Sequence, residues 1–145
     1  MTSYVEPNST IQSELDLVLF KLSSGEFQEV LNEAQKLLSR VKEKLHVATC
    51  HFLIGSSLKE LGETDLALTH FLESAISFPI DQPFLVGHAQ LEVSIIQYEK
   101  GLHSSALFFV DMAITNLGLL DEQRGTDDLR KECARLKEQI LNELG

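Results

Sequence analysis

The sequence predicts an all-α protein of about seven helices, stacked as antiparallel pairs in a single unit. Three observations carry that expectation. Apolar residues recur at three- and four-residue spacings through most of the 145 residues, and no run of residues alternates strictly as a half-exposed strand would. The interruptions are short and turn-like: "SSGE" at 23–26, "LGET" at 61–64, "FPIDQP" at 78–83, "EKGLH" at 99–103 and "DEQRGT" at 121–126. Gly25, Gly62 and Gly101 each close a helix and stand 37 and 39 residues apart, the length of one helical hairpin with its connector.

Taken in order, residues 1–10 read as a flexible lead, and helices follow near 11–23, 27–41, 45–61, 65–77, 84–100, 104–117 and 127–143. Ser9 with Gln12 forms a capping-box pattern at the first helix. Asp81 is placed to cap the fifth. Thr126, followed by Asp127 and Asp128, sets a capping hydroxyl and negative charge at the positive end of the seventh. The seventh helix, "TDDLRKECARLKEQILNELG", carries Leu129, Cys133, Leu136, Ile140 and Leu144 on one face. That stripe suits the terminal cap that a repeat stack needs, and the same spacing fits a dimerisation seam.

Charge and composition exclude several classes of function. The 12 basic residues against 22 acidic ones leave a formal charge of -10, and the basic residues are scattered, so no Lys/Arg stripe exists to hold a nucleic acid. No apolar run is long enough to span a membrane, and the opening "MTSYVEPNST" lacks the regions of a signal peptide. Cys50 and Cys133 stand alone, with no CxxC or disulfide framework, which points to a reducing, cytoplasmic setting. The sequon at Asn8 is then accidental.

The repeat has internal detail. Each turn glycine is followed five residues later by Val30, Ala67 or Ala106, and seven residues after those come Leu37, Ser74 and Ala113. In the best-formed unit, counted from Ala48, Gly55 is at position 8, Leu58 at 11, Gly62 at 15, Ala67 at 20, Phe71 at 24 and Pro79 at 32. The unit counted from Gly87 has Ser94 at 8, Gly101 at 15, Ala106 at 20 and Ala113 at 27. The one counted from Ile11 keeps Leu17 at 7, "GEF" from 15 and Val30 at 20, but has Val18 at 8. This pattern resembles the tetratricopeptide repeat family, whose unit is 34 residues.

The resemblance covers residues 11–117 and implies a right-handed superhelix with repeats at about 11–44, 48–81 and 87–120 and a capping helix at 127–143. Its physical sense is helix approach. A small side chain at position 8 faces one at 20, and glycine at 15 ends the first helix with positive φ. The connectors "SRVKEKLHV" and "FPIDQPFLVG" are longer than the family norm.

No catalytic constellation is legible. Cys50 and His51 are neighbours on a helix and point about 100° apart, so they cannot act as nucleophile and base for each other. The five histidines, at 46, 51, 70, 88 and 103, show no HxxxH or HExxH spacing on one helix, so a metal site would have to be assembled by the fold, and neither metal nor cofactor is expected. "GLHSSA" lacks the strand context of a nucleophile elbow.

The resemblance directs attention to the concave face instead, where positions 2, 5, 9, 12 and 13 of each first helix point into a groove. Carried over by position, these are Gln12, Leu15, Leu19, Leu22 and Ser23, then Thr49, Phe52, Ser56, Lys59 and Glu60, then His88, Leu91, Ile95, Tyr98 and Glu99. Such an apolar face implies a protein or peptide partner with an apolar or amphipathic segment, with self-occlusion or a homodimer as the competing reading. The family's carboxylate clamp for chaperone tails is not matched, since Leu15, Leu19, Leu53, His88 and Glu92 occupy the equivalent places. A small acidic protein of this kind is also similar to the secretion chaperones that hold translocator proteins of bacterial type III systems.

Overall fold

The computed structural model describes residues 7–120 and 124–145. Among them are seven helices and no strand: α1 (Pro7–Ser23), α2 (Phe27–Leu38), α3 (Lys44–Glu60), α4 (Thr64–Ser77), α5 (Pro83–Glu99), α6 (His103–Gly118) and α7 (Arg124–Leu144). Helices α1/α2, α3/α4 and α5/α6 form three hairpins, each packed on the next through its second helix, and α7 closes the stack against α6 and α5.

The three hairpin turns share one construction. Gly25, Gly62 and Gly101 have φ of 81°, 86° and 81°, a region in which a side chain would be strained. At each turn the residue after the glycine donates its N–H five residues back: Glu26 to Lys21, Glu63 to Leu58 and Leu102 to Gln97. The glycine itself donates three back, to Leu22, Lys59 and Tyr98. This Schellman arrangement satisfies the last carbonyls of the first helix and reverses the chain within two residues.

Inside the hairpins the helices touch through small groups. A Cβ added to Gly55 would stand 3.1 Å from the Phe71 ring, so position 8 is small because the aromatic of the second helix lies on it, one turn beyond Ala67. In the third hairpin the position-8 residue Ser94 donates its hydroxyl to the Ala106 carbonyl at 2.6 Å, and in the second Ser74 donates to the Ala48 carbonyl at 2.8 Å. The tightest approach is at Gly87, where an added Cβ would meet Leu117 Cγ at 2.9 Å.

Two main apolar clusters run along the stack. One joins Val18, Val30, Ala34, Leu53, Ile54 and Phe71 from the first four helices to Val93 and Ile96 of α5. The other gathers Leu91, Ala106, Val110, Ala113 and Leu117 with Cys133, Leu136 and Ile140 of α7. Leu129, Cys133, Leu136 and Ile140 of the α7 stripe are therefore spent on the neighbouring hairpin, each fully buried large side chain contributing on the order of 1.5–3 kcal/mol, while Leu144 at the helix end stays exposed. Arg130 adds a polar tie: its guanidinium donates to the Leu117 carbonyl at 2.7 Å and to that of Leu120, carbonyls at the end of α6.

Several end assignments differ from the sequence reading. Helix α1 begins at Pro7, so Ser9 lies within it, and Gln12 bonds Asp16 at 2.9 Å instead of reaching back to a cap. Residues 7–10 belong to this helix, while residues 1–6 lie outside the described part of the chain. Asp81 does not cap α5. Its N-cap is Gln82 without a side-chain bond, and Pro83 supplies a preset φ at the first turn. Helix α7 begins at Arg124, which puts Thr126 inside its first turn and buried. Helix α2 stops at Leu38, where the Ser39 hydroxyl turns back onto the Lys36 carbonyl at 2.7 Å.

Glycine substitutions test this packing. Gly87→Ala is expected to destabilise the protein by about 1–3 kcal/mol, because Leu117 is fully enclosed and cannot yield. Gly118→Ala meets open space and should be neutral or stabilising by up to about 1 kcal/mol. Urea unfolding of the two variants beside the parent would check both, and equal midpoints would refute the close approach at Gly87.

Candidate functional site

The first helices of the hairpins, α1, α3 and α5, carry the residues that the repeat register aims at one face, and the structure divides that set by position. At position 5 the chain points inward: Leu15 is 3% exposed and Leu91 is 0% exposed, each within an apolar cluster. Both were expected to line the groove and are core residues instead. Phe52, also at position 5, sits at the boundary, half-buried, its ring edge-on to Phe71 at 5.4 Å and 4.8 Å from the His88 ring. An apolar side chain at this azimuth gains more from the hairpin interior than from solvent, so the row is drawn inward.

The other rows reach the surface in part. Leu19 is 51% exposed, and Leu22, Ser56, Ile95 and Tyr98 are half-buried. Thr49 returns its hydroxyl to the Leu45 carbonyl of its own helix at 2.7 Å. Gln12, Ser23, Glu60 and Glu99 are exposed. Leu22, Phe27, Ser56, Lys59, Glu60 and Glu92 together line an open cleft of about 320 Å³ between the first, second and third hairpins.

An ion pair crosses this cleft. Lys59 on α3 donates to Glu92 on α5 at 2.9 Å, with both groups partly screened from solvent. Burial alone pulls the Lys59 ammonium down, but the Glu92 carboxylate, with Glu99 and Glu60 behind it, overrides burial and holds the group above its ordinary range. His88 lies beside the pair, its Nε2 3.9 Å from Glu92, between the rings of Phe52 and Phe84. Burial lowers its pKa, and Lys59 adds to that, against the opposing pull of Glu92 and of Glu132 on α7. Glu92, Phe84 and Glu132 were not among the groove residues read from sequence. No local spacing links residues 33 apart, such as Lys59 and Glu92; only the stacking of α5 beside α3 does.

Elsewhere the side chains are arranged for packing. Cys50 is fully buried and faces the core, and burial pushes its thiol up to about 11, far from a nucleophile's range. Cys133 is likewise buried and unpaired. Among the described residues no three ligand-type side chains converge, and no helix is long and apolar enough to cross a membrane. The fold does bring two histidines together. Nδ1 of His51 on α3 and Nδ1 of His70 on α4 are 3.0 Å apart, which sequence spacing could not foretell.

No protein-family model matches the sequence, and no curated protein does. Among solved structures, the Yersinia enterocolitica type III secretion chaperone SycD, crystallised in complex with a peptide of the translocator YopD, superposes with a TM-score of 0.76. The match covers 94% of this chain and 96% of that one, at 15% identity. The two chains share a fold. The likeness spans all three hairpins and α7, so the helical-repeat architecture has a solved counterpart along nearly its whole length.

Three histidines of this region give a pH signature. Burial depresses the pKa of His51, His70 and His88 in the folded protein. Below about pH 6.5 the unfolded chain therefore takes up protons that the folded chain resists, and stability falls as pH drops from 7.5 toward 5. The slope stays below the limit of about 1.4 kcal/mol per pH unit per histidine, because the rings are partly solvated. Urea midpoints at pH 7.5, 6 and 5 would check the sign, and His88→Gln should flatten the dependence.

Proposed function

We propose that this chain is a non-enzymatic, tetratricopeptide-like module that holds an amphipathic segment of a client protein along the face of α1, α3 and α5. The observation that carries the reading is the cleft across Leu22, Phe27, Ser56 and Lys59, continued by half-buried Phe52, His88, Ile95 and Tyr98. Side chains of this kind offer apolar contact without being sealed inside, which is how helical grooves take peptide anchors. The shared fold with a chaperone seen bound to a translocator peptide supports the chaperone form of this reading, in which the client is kept in an apolar-bound state before delivery.

Charge narrows the client. Three carboxylates, Glu60, Glu92 and Glu99, surround the single ammonium of Lys59, and Glu132 stands near His88. The face is net acidic, and the whole chain has a formal charge of -10. A segment that mixes apolar anchors with Lys or Arg is the complement, its cation able to take the place of Lys59 beside Glu92. An acidic peptide would meet repulsion.

A second reading has its own observation. On α1, Leu17 and Phe20 are 55% and 67% exposed, a larger apolar display than a helix end facing water needs, and a second copy of the chain could cover it.

Selection from a random peptide library tests the main reading. The parent protein should enrich apolar sequences bearing basic residues, and Leu19→Asp or Ser56→Arg should reduce affinity by roughly tenfold or more while helicity is unchanged. Enrichment that survives both substitutions would place binding elsewhere. For the second reading, light scattering over a hundredfold or so range of concentration should show a dimer that Phe20→Asp dissociates; a monomer throughout would remove it.

A further inference from the structure

His51 and His70 face each other across the middle hairpin, one on α3 and one on α4. Their Nδ1 atoms are 3.0 Å apart and their ring centroids 5.2 Å apart, with the planes tilted by 33°. Two imidazole nitrogens at that separation form a hydrogen bond only if one carries a proton and the other a lone pair. The proton therefore sits where two nitrogen lone pairs would otherwise converge. We propose that a divalent transition-metal cation of the Zn²⁺ class binds between His51 Nδ1 and His70 Nδ1, the shared proton moving to Nε2 of the ring that carried it so that both neutral rings offer an Nδ1 lone pair to the ion.

The geometry is close to what such an ion needs. With metal–nitrogen bonds of about 2.0–2.1 Å and tetrahedral angles, the two ligand atoms stand about 3.3 Å apart, so the rings must part by only a few tenths of an ångström. Both side chains are half-buried, which leaves the pair open to solvent on one side. The helices that present them are held at fixed separation by the Gly55–Phe71 contact and by the Ser74 hydroxyl bond to Ala48. Burial disfavours the charged form of both rings, and the neutral form is the one that ligates metal.

One carboxylate lies nearby without ligating geometry. Glu73 lies three residues beyond His70 on α4, on the same side of the helix, and its charge acts on both rings. It is exposed and has freedom to move toward a cation. Two imidazoles completed by water form a donor set suited to Zn²⁺, Ni²⁺ or Cu²⁺ and poorly suited to Mg²⁺. A site with two firm ligands binds in the micromolar range, not the nanomolar range of a closed structural centre. Its effect would be to pin α3 to α4.

The test uses the full untagged chain with ZnCl₂, NiCl₂ and MgCl₂. Calorimetric titration should show one Zn²⁺ or Ni²⁺ per chain, and thermal unfolding should shift upward by several degrees with Zn²⁺ in excess and not at all with Mg²⁺. His51→Gln and His70→Gln should each weaken binding by roughly tenfold or more, Glu73→Gln should weaken it less, and His103→Gln should leave it unchanged. In the unsubstituted protein, Ni²⁺ should broaden the imidazole resonances of His51 and His70 and spare those of His46 and His103. That readout decides the matter even where a substitution impairs folding. The proposal is overturned if the parent protein gives no heat and no thermal shift, if a folded His70→Gln variant binds as tightly as the parent, or if the broadened resonances belong to other histidines.

Discussion

Everything in this structure depends on how closely the two helices of each hairpin approach. Gly55 accepts the Phe71 ring against its backbone, Gly87 accepts Leu117, and Ser94 donates to the Ala106 carbonyl across a gap that no larger residue would leave. These contacts set the spacing inside a hairpin, and the spacing sets where the next hairpin can sit. Because interiors pack at crystal-like density, a methyl group added at one of these places has no slack to enter. The face of α1, α3 and α5 is thus a secondary product of contacts made on the opposite side of the same helices.

The turns belong to the same logic. Each positive-φ glycine reverses the chain without a loop, so the second helix starts with almost no freedom in its direction. None of α2, α4 and α6 has a side-chain cap; their entry is fixed by the Schellman bonds that end the preceding helix. Local backbone geometry and side-chain packing therefore agree on one arrangement, which is the condition for a single folded state.

Much of this was legible in the sequence because it is local. The 37- and 39-residue spacing of Gly25, Gly62 and Gly101 and the three- and four-residue apolar rhythm are one-dimensional signals, and the helices came out within a few residues of their expected bounds. The face was only partly legible. The repeat register identifies a row of positions but not how far each row is rotated toward the interior, and so Leu15 and Leu91 were placed on a surface that they support from beneath. The Lys59–Glu92 pair and the His51–His70 contact were invisible for another reason: each joins residues on different helices, at separations of 33 and 19, that only the stacking brings together. The caps failed where the expected capping residue already lies inside the helix, as at Ser9 and Thr126.

The bonds from Arg130 to the carbonyls of Leu117 and Leu120 have a consequence for how many chains can associate. Growth of a helical array needs two different ends, each ready to receive the other. Here the α6 end is already occupied by α7 of the same chain, with its carbonyls spoken for, while α1 at the opposite end still shows Leu17 and Phe20 to water. Because α7 of the same chain covers α6, that surface is not offered to the α1 of another copy, and hairpin-on-hairpin stacking stops there. A second copy that met α1 through this same patch would make an isologous contact, which closes at two chains instead of growing into a filament.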